Sequence, residues 1–135
     1  MYYKYICTII YILLSEFIWI YLINSNNYAS ITKAVQKNEL ELNIKYAIIA
    51  YIFVLGSIFI IAIPFTKSKL IKKENIKKSI LKSLLYGGII GFFIYGIYNF
   101  TSLSIYKNYS IKIAIMDTLW GTFLYATSVT LYIFI

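Results

Sequence analysis

The sequence predicts an all-α integral membrane protein, a bundle of four transmembrane helices with both termini in the cytoplasm. Of its 135 residues, 61% are hydrophobic and 13% are charged, whereas an ordinary globular domain has roughly 45–50% apolar and about 25% charged residues. Even a soluble domain of ~150 residues buries only about 68–70% of the surface that its unfolded chain exposes. The composition therefore argues against a soluble enzyme and favours a protein embedded in a lipid bilayer.

Four long apolar stretches define the predicted spans and make residues 1–135 a single membrane domain. They cover residues 5–23, 46–63, 84–105 and 111–135. Each is near the ~20 residues (range about 17–25) that cross a ~30 Å hydrocarbon core as a helix. Pro64 directly follows the second stretch. Because proline lacks a backbone N–H, we expect the second helix to end there.

The distribution of lysine predicts the orientation of the spans. Seven lysines lie between positions 66 and 83, against one acidic residue, Glu74. Cytoplasmic connections carry an excess of lysine, so we place this Lys-rich connection and both termini in the cytoplasm. We expect it to bind anionic lipid headgroups. Apolar residues at roughly helical spacing predict short interfacial helices here and in residues 24–43. The seven are Lys67, Lys69, Lys72, Lys73, Lys77, Lys78 and Lys82.

Missing residue types narrow the function. The chain has no His and no Arg, and Cys7 is its only cysteine. Arginine is heavily used in nucleic-acid recognition, and histidine is the commonest metal ligand. We therefore expect no metal, no cofactor and no nucleic-acid partner.

The composition is rich in Ile, Lys, Tyr and Asn, which suggests an AT-rich bacterial or viral genome. We therefore expect the protein in a cell membrane or, if it is viral, in a host or virion membrane.

Two acidic residues fall inside predicted spans, where a charge costs about 2.5–3.5 kcal/mol on insertion scales. Glu16 lies seven residues before the outer end of the first span, or ~10 Å at 1.5 Å per residue. Asp117 lies six residues into the fourth span from the same side, or ~9 Å. Asn99 reaches the same level on the third span. These residues predict a polar layer in the outer half of the bundle.

Each of these acids is followed three residues later by one of the two tryptophans, Trp19 and Trp120. Spacing of three places acid and indole on one helix face, and the indole N–H can donate to a carboxylate on its own or a facing helix. We assign a candidate ligand-binding site to Glu16, Trp19, Tyr98, Asn99, Thr101, Asp117 and Trp120. The structural alternatives are a neutral carboxyl that joins helices and tryptophans of the interfacial belt.

Small residues predict where helices approach each other. Gly87 and Gly91 form a G-x-x-x-G pair in the third span, Gly96 lies further along it, and Gly121 follows Trp120. Glycine at such spacing lets another helix pack closely. We assign these four residues to helix packing. If the protein forms a pore, we expect a homo-oligomer, because four spans are few for a pore made by one chain.

The polar segments resemble the DUF2177 family of small membrane proteins. Residues 95–104 (YGIYNFTSLS) and 117–122 (DTLWGT) are similar to that family's Y-G-x-Y-D-x-T-N-L and D-x-x-W-G-T elements, and residues 16–19 (EFIW) resemble its D-x-x-W element. Asn99 and Glu16 stand where the family generally has Asp. The loss of a carboxylate at position 99 argues against a mechanism that needs three acids. The resemblance implies the four-span fold and these site residues, and no activity.

Three functions are compatible with the sequence. The first is a small transporter or channel component in which the polar layer binds a proton, a cation or a small solute. The second is a structural or partner-binding membrane protein in which the layer fixes helix register. The third, a membrane enzyme that uses its carboxyls as acid and base, is the least favoured because the chain lacks histidine and any dense metal motif, and we assign no catalytic residue.

Overall fold

The computed structural model describes residues 2–135, which contain five helices and no β-strand. The prediction of an all-α fold is therefore confirmed. The helices are α1 (Tyr2–Ile23), α2 (Ser25–Gln36), α3 (Ile44–Lys69), α4 (Ile76–Ile105) and α5 (Ile111–Phe134).

Three of these helices, α1, α3 and α4, are long and apolar enough to cross a membrane. Large apolar side chains cover their outward faces; Phe53 and Ile60 on α3, for example, are 74% and 76% exposed. A continuous apolar exterior of this kind suits contact with lipid acyl chains. The fold therefore supports the predicted location in a membrane.

Helix α5 occupies the predicted fourth span, but no stretch of it is as apolar as the stretches that mark α1, α3 and α4 as candidate spans. Its 24 residues extend ~36 Å at 1.5 Å per residue. Lys112, Asp117 and several hydroxyl side chains interrupt its apolar sequence. Length and apolar content alone therefore indicate three spans within residues 2–135, one fewer than predicted.

Helix α5 is also the centre of the bundle, because α1, α3 and α4 all contact it. Glycines bring α4 and α5 together most closely. A Cβ atom on Gly91 would lie 2.3 Å from the carbonyl oxygen of Gly121, and one on Gly121 would lie 2.1 Å from Cγ of Tyr95. A Cβ on Gly87 would lie 2.9 Å from the carbonyl oxygen of Tyr125, whereas one on Gly96 would make only an ordinary contact at 3.7 Å.

Two of the apolar helices contain a wide π-helical segment, at Ile18–Ile23 in α1 and Ser57–Ala62 in α3. In α1 the backbone N–H of Asn24 donates to the carbonyl of Trp19, five residues back, at 3.0 Å. Segments of this kind are rare and frequently occur at functional sites. Here each one begins beside a polar group inside the bundle, the first just after Glu16 and the second at Ser57.

The prediction that the second span ends at Pro64 is wrong. Helix α3 continues through Pro64 to Lys69, because the proline lies in the first turn of the α-helical segment that follows the π segment. Proline is tolerated in a first turn, where its missing N–H breaks no regular hydrogen bond. The preceding change of helix type therefore accommodates the ring.

The two predicted interfacial helices have different outcomes. Helix α2 lies within residues 24–43 and buries Ile31, and Lys37 ends it with a positive φ of 66°. The Lys-rich connection forms no helix of its own: α3 extends to Lys69, α4 begins at Ile76, and residues 70–75 form the turn between them. Its helical periodicity belongs to the ends of these two long helices, so the second prediction is wrong.

Candidate functional site

The site is centred on Asp117, a buried carboxyl on α5 that is 8% exposed. Its Oδ1 accepts a hydrogen bond of 2.6 Å from the hydroxyl of Tyr28 on α2. Its Oδ2 accepts one of 2.7 Å from Nδ2 of Asn99 on α4. Hydrogen bonds to a carboxylate are stronger than those between neutral groups, so this carboxyl joins three helices.

Asn99 is fully buried and orients the carboxyl of Asp117. Its Nδ2 also donates to the backbone carbonyl of Tyr95 at 2.9 Å, which uses the second amide hydrogen. Its Oδ1 accepts from the hydroxyl of Tyr109, in the α4–α5 connection, at 2.9 Å. Because both amide hydrogens and the oxygen have partners, the orientation of the side chain is determined by the network.

Glu16 forms the second carboxyl of the site, on the buried face of α1, and is 6% exposed. Its Oε1 accepts from the hydroxyl of Tyr95 at 2.8 Å and from Nε1 of Trp120 at 3.2 Å. Tyr95 thereby links the two acids, since its hydroxyl contacts Glu16 while its carbonyl contacts Asn99.

The two tryptophans stack on each other and exchange partners between helices. Their ring centroids lie 4.6 Å apart and the ring planes differ by 1°. Trp120, three residues after Asp117, donates to Glu16. Trp19, three residues after Glu16, donates to the Tyr28 hydroxyl at 3.0 Å, and this hydroxyl in turn donates to Asp117. Each indole is therefore hydrogen-bonded to the acid of the other helix, Trp120 directly and Trp19 through Tyr28, and these bonds connect α1 to α5.

Only neutral groups donate to the two carboxyls. Among residues 2–135, the ion pairs lie elsewhere, between Lys33 and Glu39 and between Lys82 and Glu74. Within the same residues, no three His, Cys, Asp or Glu side chains lie close enough together to hold a metal ion. The chemistry that the site offers is that of two carboxyls surrounded by phenol, indole and amide donors.

Two tyrosines of the network lie outside the long apolar helices, and both have raised pKa values. Burial, followed by the nearby Asp117 carboxyl, raises the pKa of Tyr28 far above its ordinary value of 10. Burial, with contributions from Tyr98 and Asp117, raises the pKa of Tyr109 to about 12. Both hydroxyls are therefore protonated near neutral pH and act as donors.

The structure brings together five of the seven residues assigned to the ligand-binding site. The other two, Tyr98 and Thr101, lie on the exposed side of α4, and Tyr98 is 64% exposed. Neither donates to Glu16 or Asp117, because both lie on the side of α4 that carries exposed residues, whereas Asn99 is fully buried.

Three hydrogen-bonding tyrosines lie outside the assigned set of seven, namely Tyr28, Tyr95 and Tyr109. The available signals were weak. Tyr95 lies one helical turn before Asn99, a spacing that places both on one face. Tyr28 lies on the apolar face of the helix that was expected in residues 24–43, and Tyr109 had no distinguishing pattern.

A family model described as "Predicted membrane protein (DUF2177)" matches residues 1–134. The chain belongs to the DUF2177 family. No curated protein and no solved structure matches it significantly. In this DUF2177 protein the three segments that carry the resemblance supply most of the network: residues 16–19 provide Glu16 and Trp19, residues 95–104 provide Tyr95 and Asn99, and residues 117–122 provide Asp117 and Trp120.

Proposed function

We propose that this DUF2177 protein binds and releases a proton at Glu16 and Asp117, as a small membrane transporter or channel component for a proton or small cation. One observation carries the proposal. Two carboxyls are almost completely buried within a network of neutral donors, and no basic side chain among residues 2–135 pairs with either. An unpaired charge in hydrocarbon is costly, so a proton or a small cation is the natural partner for these groups.

The balance between charged and neutral forms supports reversible proton binding. Burial away from water favours the neutral carboxyl, whereas each donated hydrogen bond favours the carboxylate. Each acid accepts two such bonds, Asp117 from Tyr28 and Asn99, and Glu16 from Tyr95 and Trp120. Burial and hydrogen bonding therefore act in opposite directions on both carboxyls.

Close packing favours a proton over a large solute. Both oxygens of Asp117 already accept hydrogen bonds from side chains of the bundle, and Trp19 and Trp120 stack directly on each other between α1 and α5. A larger ligand would have to displace these groups, whereas a proton needs no additional room.

We also propose that α5 crosses the membrane, which gives four spans. Its threonines donate to carbonyls four residues earlier, Thr118 to Ala114 at 2.7 Å and Thr122 to Thr118 at 2.8 Å. Hydroxyls that are satisfied within their own helix reduce the cost of placing them in lipid. With Asp117 hydrogen-bonded inside the bundle, the polarity of α5 is compatible with a span.

The ends of the bundle support a common cytoplasmic location for both termini. The hydroxyl of Tyr3 donates to the carbonyl of Ile135 at 3.1 Å, so the two ends of the described chain meet. Lys67, at the start of the Lys-rich connection, lies 4.8 Å from the ring centre of Tyr132 near the same end. The positive-inside rule assigns a lysine-rich end to the cytoplasm.

The Lys-rich connection also supports the proposal that this end binds anionic lipids. Lys72, Lys73, Lys77 and Lys78 are exposed, and Glu74 is engaged by Lys82 at 2.7 Å. Exposed lysines near a membrane surface are each worth about 1 kcal/mol of attraction to an anionic leaflet.

A structural role is the second candidate, because the network joins α1, α2, α4 and α5. In that case the network would fix the register of the helices, as buried polar groups do in some proteins. Polar neutral replacements would then preserve folding and function, while leucine replacements would disturb helix pairing.

Proton flux into liposomes tests the first proposal against the second. Purified wild type and the double variant Glu16→Gln, Asp117→Asn are reconstituted at equal density, and internal pH is followed after an imposed pH gradient and membrane potential. The proposal predicts flux that the wild type supports and the double variant loses. Equal signals from the two proteins, with intact folding of both, would favour the structural role.

A further inference from the structure

Three buried hydroxyls in the other half of the bundle have no hydrogen-bond partner among the described residues: Thr8 Oγ1, Thr66 Oγ1 and Ser128 Oγ. All three side chains are fully buried, and they lie on three different helices, α1, α3 and α5. Buried polar groups are hydrogen-bonded in the great majority of cases, to protein or to ordered water. Ordered water is the kind of partner that would satisfy these three hydroxyls.

Neighbouring hydroxyls on the same helix do have hydrogen-bond partners, so the lack of a partner is specific to certain positions. On α5, Thr127 donates to the carbonyl of Phe123 at 2.8 Å and Thr130 to that of Ala126 at 2.7 Å. Ser128 lies between them and makes no such bond. Serine hydroxyls inside helices can bond to a carbonyl of their own helix in this way, so the hydroxyl of Ser128 differs from its neighbours in having no partner among the described residues.

The register of α1 against α5 brings Thr8 and Ser128 to one level. The helices are antiparallel, with Tyr11 donating to Oγ1 of Thr127 at 2.7 Å. Further along, the rings of Tyr5 and Tyr132 lie 5.1 Å apart. Thr8 lies midway between Tyr5 and Tyr11, and Ser128 lies between Thr127 and Tyr132. Both face the interior at a depth intermediate between the two contacts.

Thr66 lies nearer the Lys-rich end. The next residue, Lys67, is over the ring of Tyr132 at 4.8 Å, which places this turn of α3 one helical turn beyond Ser128 along α5. Together with Thr8 and Ser128 it forms a set that we call the hydroxyl site. The hydroxyl site therefore lies between the acidic site and the Lys-rich end of the bundle.

An apolar layer separates the hydroxyl site from the acidic site. The buried face of α1 consists of Thr8, Ile12 and Glu16, at spacings of four. Ile12 is fully buried, as are Ile58 on α3 and Leu124 on α5, and the three belong to one apolar cluster. Ser57 and Tyr125, the neighbours of Ile58 and Leu124 in sequence, join their hydroxyls in a hydrogen bond at this level. The order along the bundle is therefore carboxyl, a layer that is apolar apart from this hydroxyl pair, and hydroxyl site.

We propose that Thr8, Thr66 and Ser128 form a second site, which binds water. We further propose that this water receives the protons released by Glu16 on their way to the cytoplasmic end of the bundle. The inference rests on the proposed function for its second part. The proton leaves the Glu16 carboxyl, which becomes a carboxylate, and is taken up by water that enters the layer around Ile12; the hydronium so formed reaches the hydroxyl site and moves on towards the Lys-rich end. The apolar residues of this layer limit the entry of water, as hydrophobic constrictions do in channels, and the hydrogen-bonded hydroxyls of Ser57 and Tyr125 are polar groups at the same level.

Cysteine accessibility tests the water site without depending on transport. In a Cys7→Ser background, Ser128→Cys is compared with Val129→Cys, because Ser128 and Val129 are adjacent and both are fully buried. A small water-soluble thiol reagent is applied in proteoliposomes or inverted vesicles, and labelling is followed by mass spectrometry. A thiol reached by water reacts as thiolate, so Ser128→Cys should react about tenfold faster or more than Val129→Cys. Equal slow labelling of both would overturn the water site.

The variant Thr8→Cys, on a different helix, repeats the test if Ser128→Cys does not fold. The proton stage is tested separately by Thr8→Val with Ser128→Ala, which should reduce flux at least severalfold, whereas Thr130→Val should not. Labelling of Ser128→Cys in a protein without flux would support the water site and contradict the proposed function. Flux that depends on Glu16 without labelling of Ser128→Cys or Thr8→Cys would overturn the water site alone.

Discussion

Nε1 of Trp120 lies 3.2 Å from Oε1 of Glu16, on a different helix and 104 positions away in the sequence. The indole therefore supports the acid of α1, while the acid of its own helix, Asp117, is held by Tyr28 and Asn99. Because the two tryptophans also stack, neither acid site can form without the other helix in place. The acidic site is thus a property of the assembled bundle.

Replacement of glycine by alanine should destabilise the protein where helices pack closely and have little effect where the glycine faces open space. Gly91→Ala and Gly121→Ala place a Cβ 2.3 Å and 2.1 Å from atoms of the facing helix. Overpacking of this kind typically costs about 1–3 kcal/mol of stability. Gly56→Ala has no atom within 4 Å and is the matched control, expected to be neutral or stabilising. Reversible unfolding in detergent measures each effect, and equal stability of all variants would contradict the packing.

Removal of one partner from the Asn99–Asp117 pair should be more harmful than an isosteric exchange. Asp117→Leu leaves the amide of Asn99 and the hydroxyl of Tyr28 without their acceptor, and each unsatisfied buried group costs about 1–3 kcal/mol. Asp117→Asn keeps an acceptor at the same place and should cost clearly less. Unfolding followed by fluorescence is suitable because both tryptophans lie in the site. A leucine variant as stable as the asparagine variant would contradict the hydrogen bonds.

Alkaline titration should reveal the raised pKa of the Tyr109 hydroxyl. Its pKa is raised from 10 to about 12, so the neutral hydroxyl is favoured by folding. Its contribution to stability is fully present below pH 10 and is lost as the pH rises through about 12. The phenolate absorbance of wild type minus Tyr109→Phe should therefore have a midpoint near pH 12. A midpoint near 10 would show that Tyr109 is not buried beside Tyr98 and Asp117 in the folded protein.

Cysteine labelling from outside the cell distinguishes four spans from three. In a Cys7→Ser background, Glu41→Cys lies on the proposed outer side, Lys72→Cys in the Lys-rich connection and Ile135→Cys at the end of α5. All three positions are exposed. A membrane-impermeant maleimide should label Glu41→Cys in intact cells, and the other two only after permeabilisation. Labelling of Ile135→Cys from outside would mean that α5 does not cross the membrane.

The apolar stretches predicted the long helices well, because twenty consecutive apolar residues have few alternatives to a helix in lipid. Asn99 and Asp117, which residue counting places at one depth, do meet in the structure: Nδ2 of Asn99 lies 2.7 Å from Oδ2 of Asp117. Counting at a fixed rise gives depth, but it does not give the direction of a side chain around the helix. Tyr98 is adjacent to Asn99 in sequence and yet lies on the exposed side of α4.

Other features depend on tertiary packing and had no local signal. The exchange of tryptophan partners requires α1 and α5 to be in contact, which no spacing within one helix can indicate. The π segments depend on five-residue hydrogen bonds, and the sequence alone did not reveal that Pro64 lies inside a continuous helix. Helix α5 illustrates the opposite difficulty, since hydroxyls that lower its apolar content are satisfied by its own backbone.

Infrared difference spectroscopy of the protein in lipid tests the central claim most directly. The C=O stretching band of a protonated carboxyl is recorded during a pH titration of wild type, Glu16→Gln and Asp117→Asn. If these buried carboxyls take up and release a proton, a band that grows on acidification should be present in wild type, and each single variant should lose part of it. A band that is identical in all three proteins, or that does not change with pH, would contradict the account.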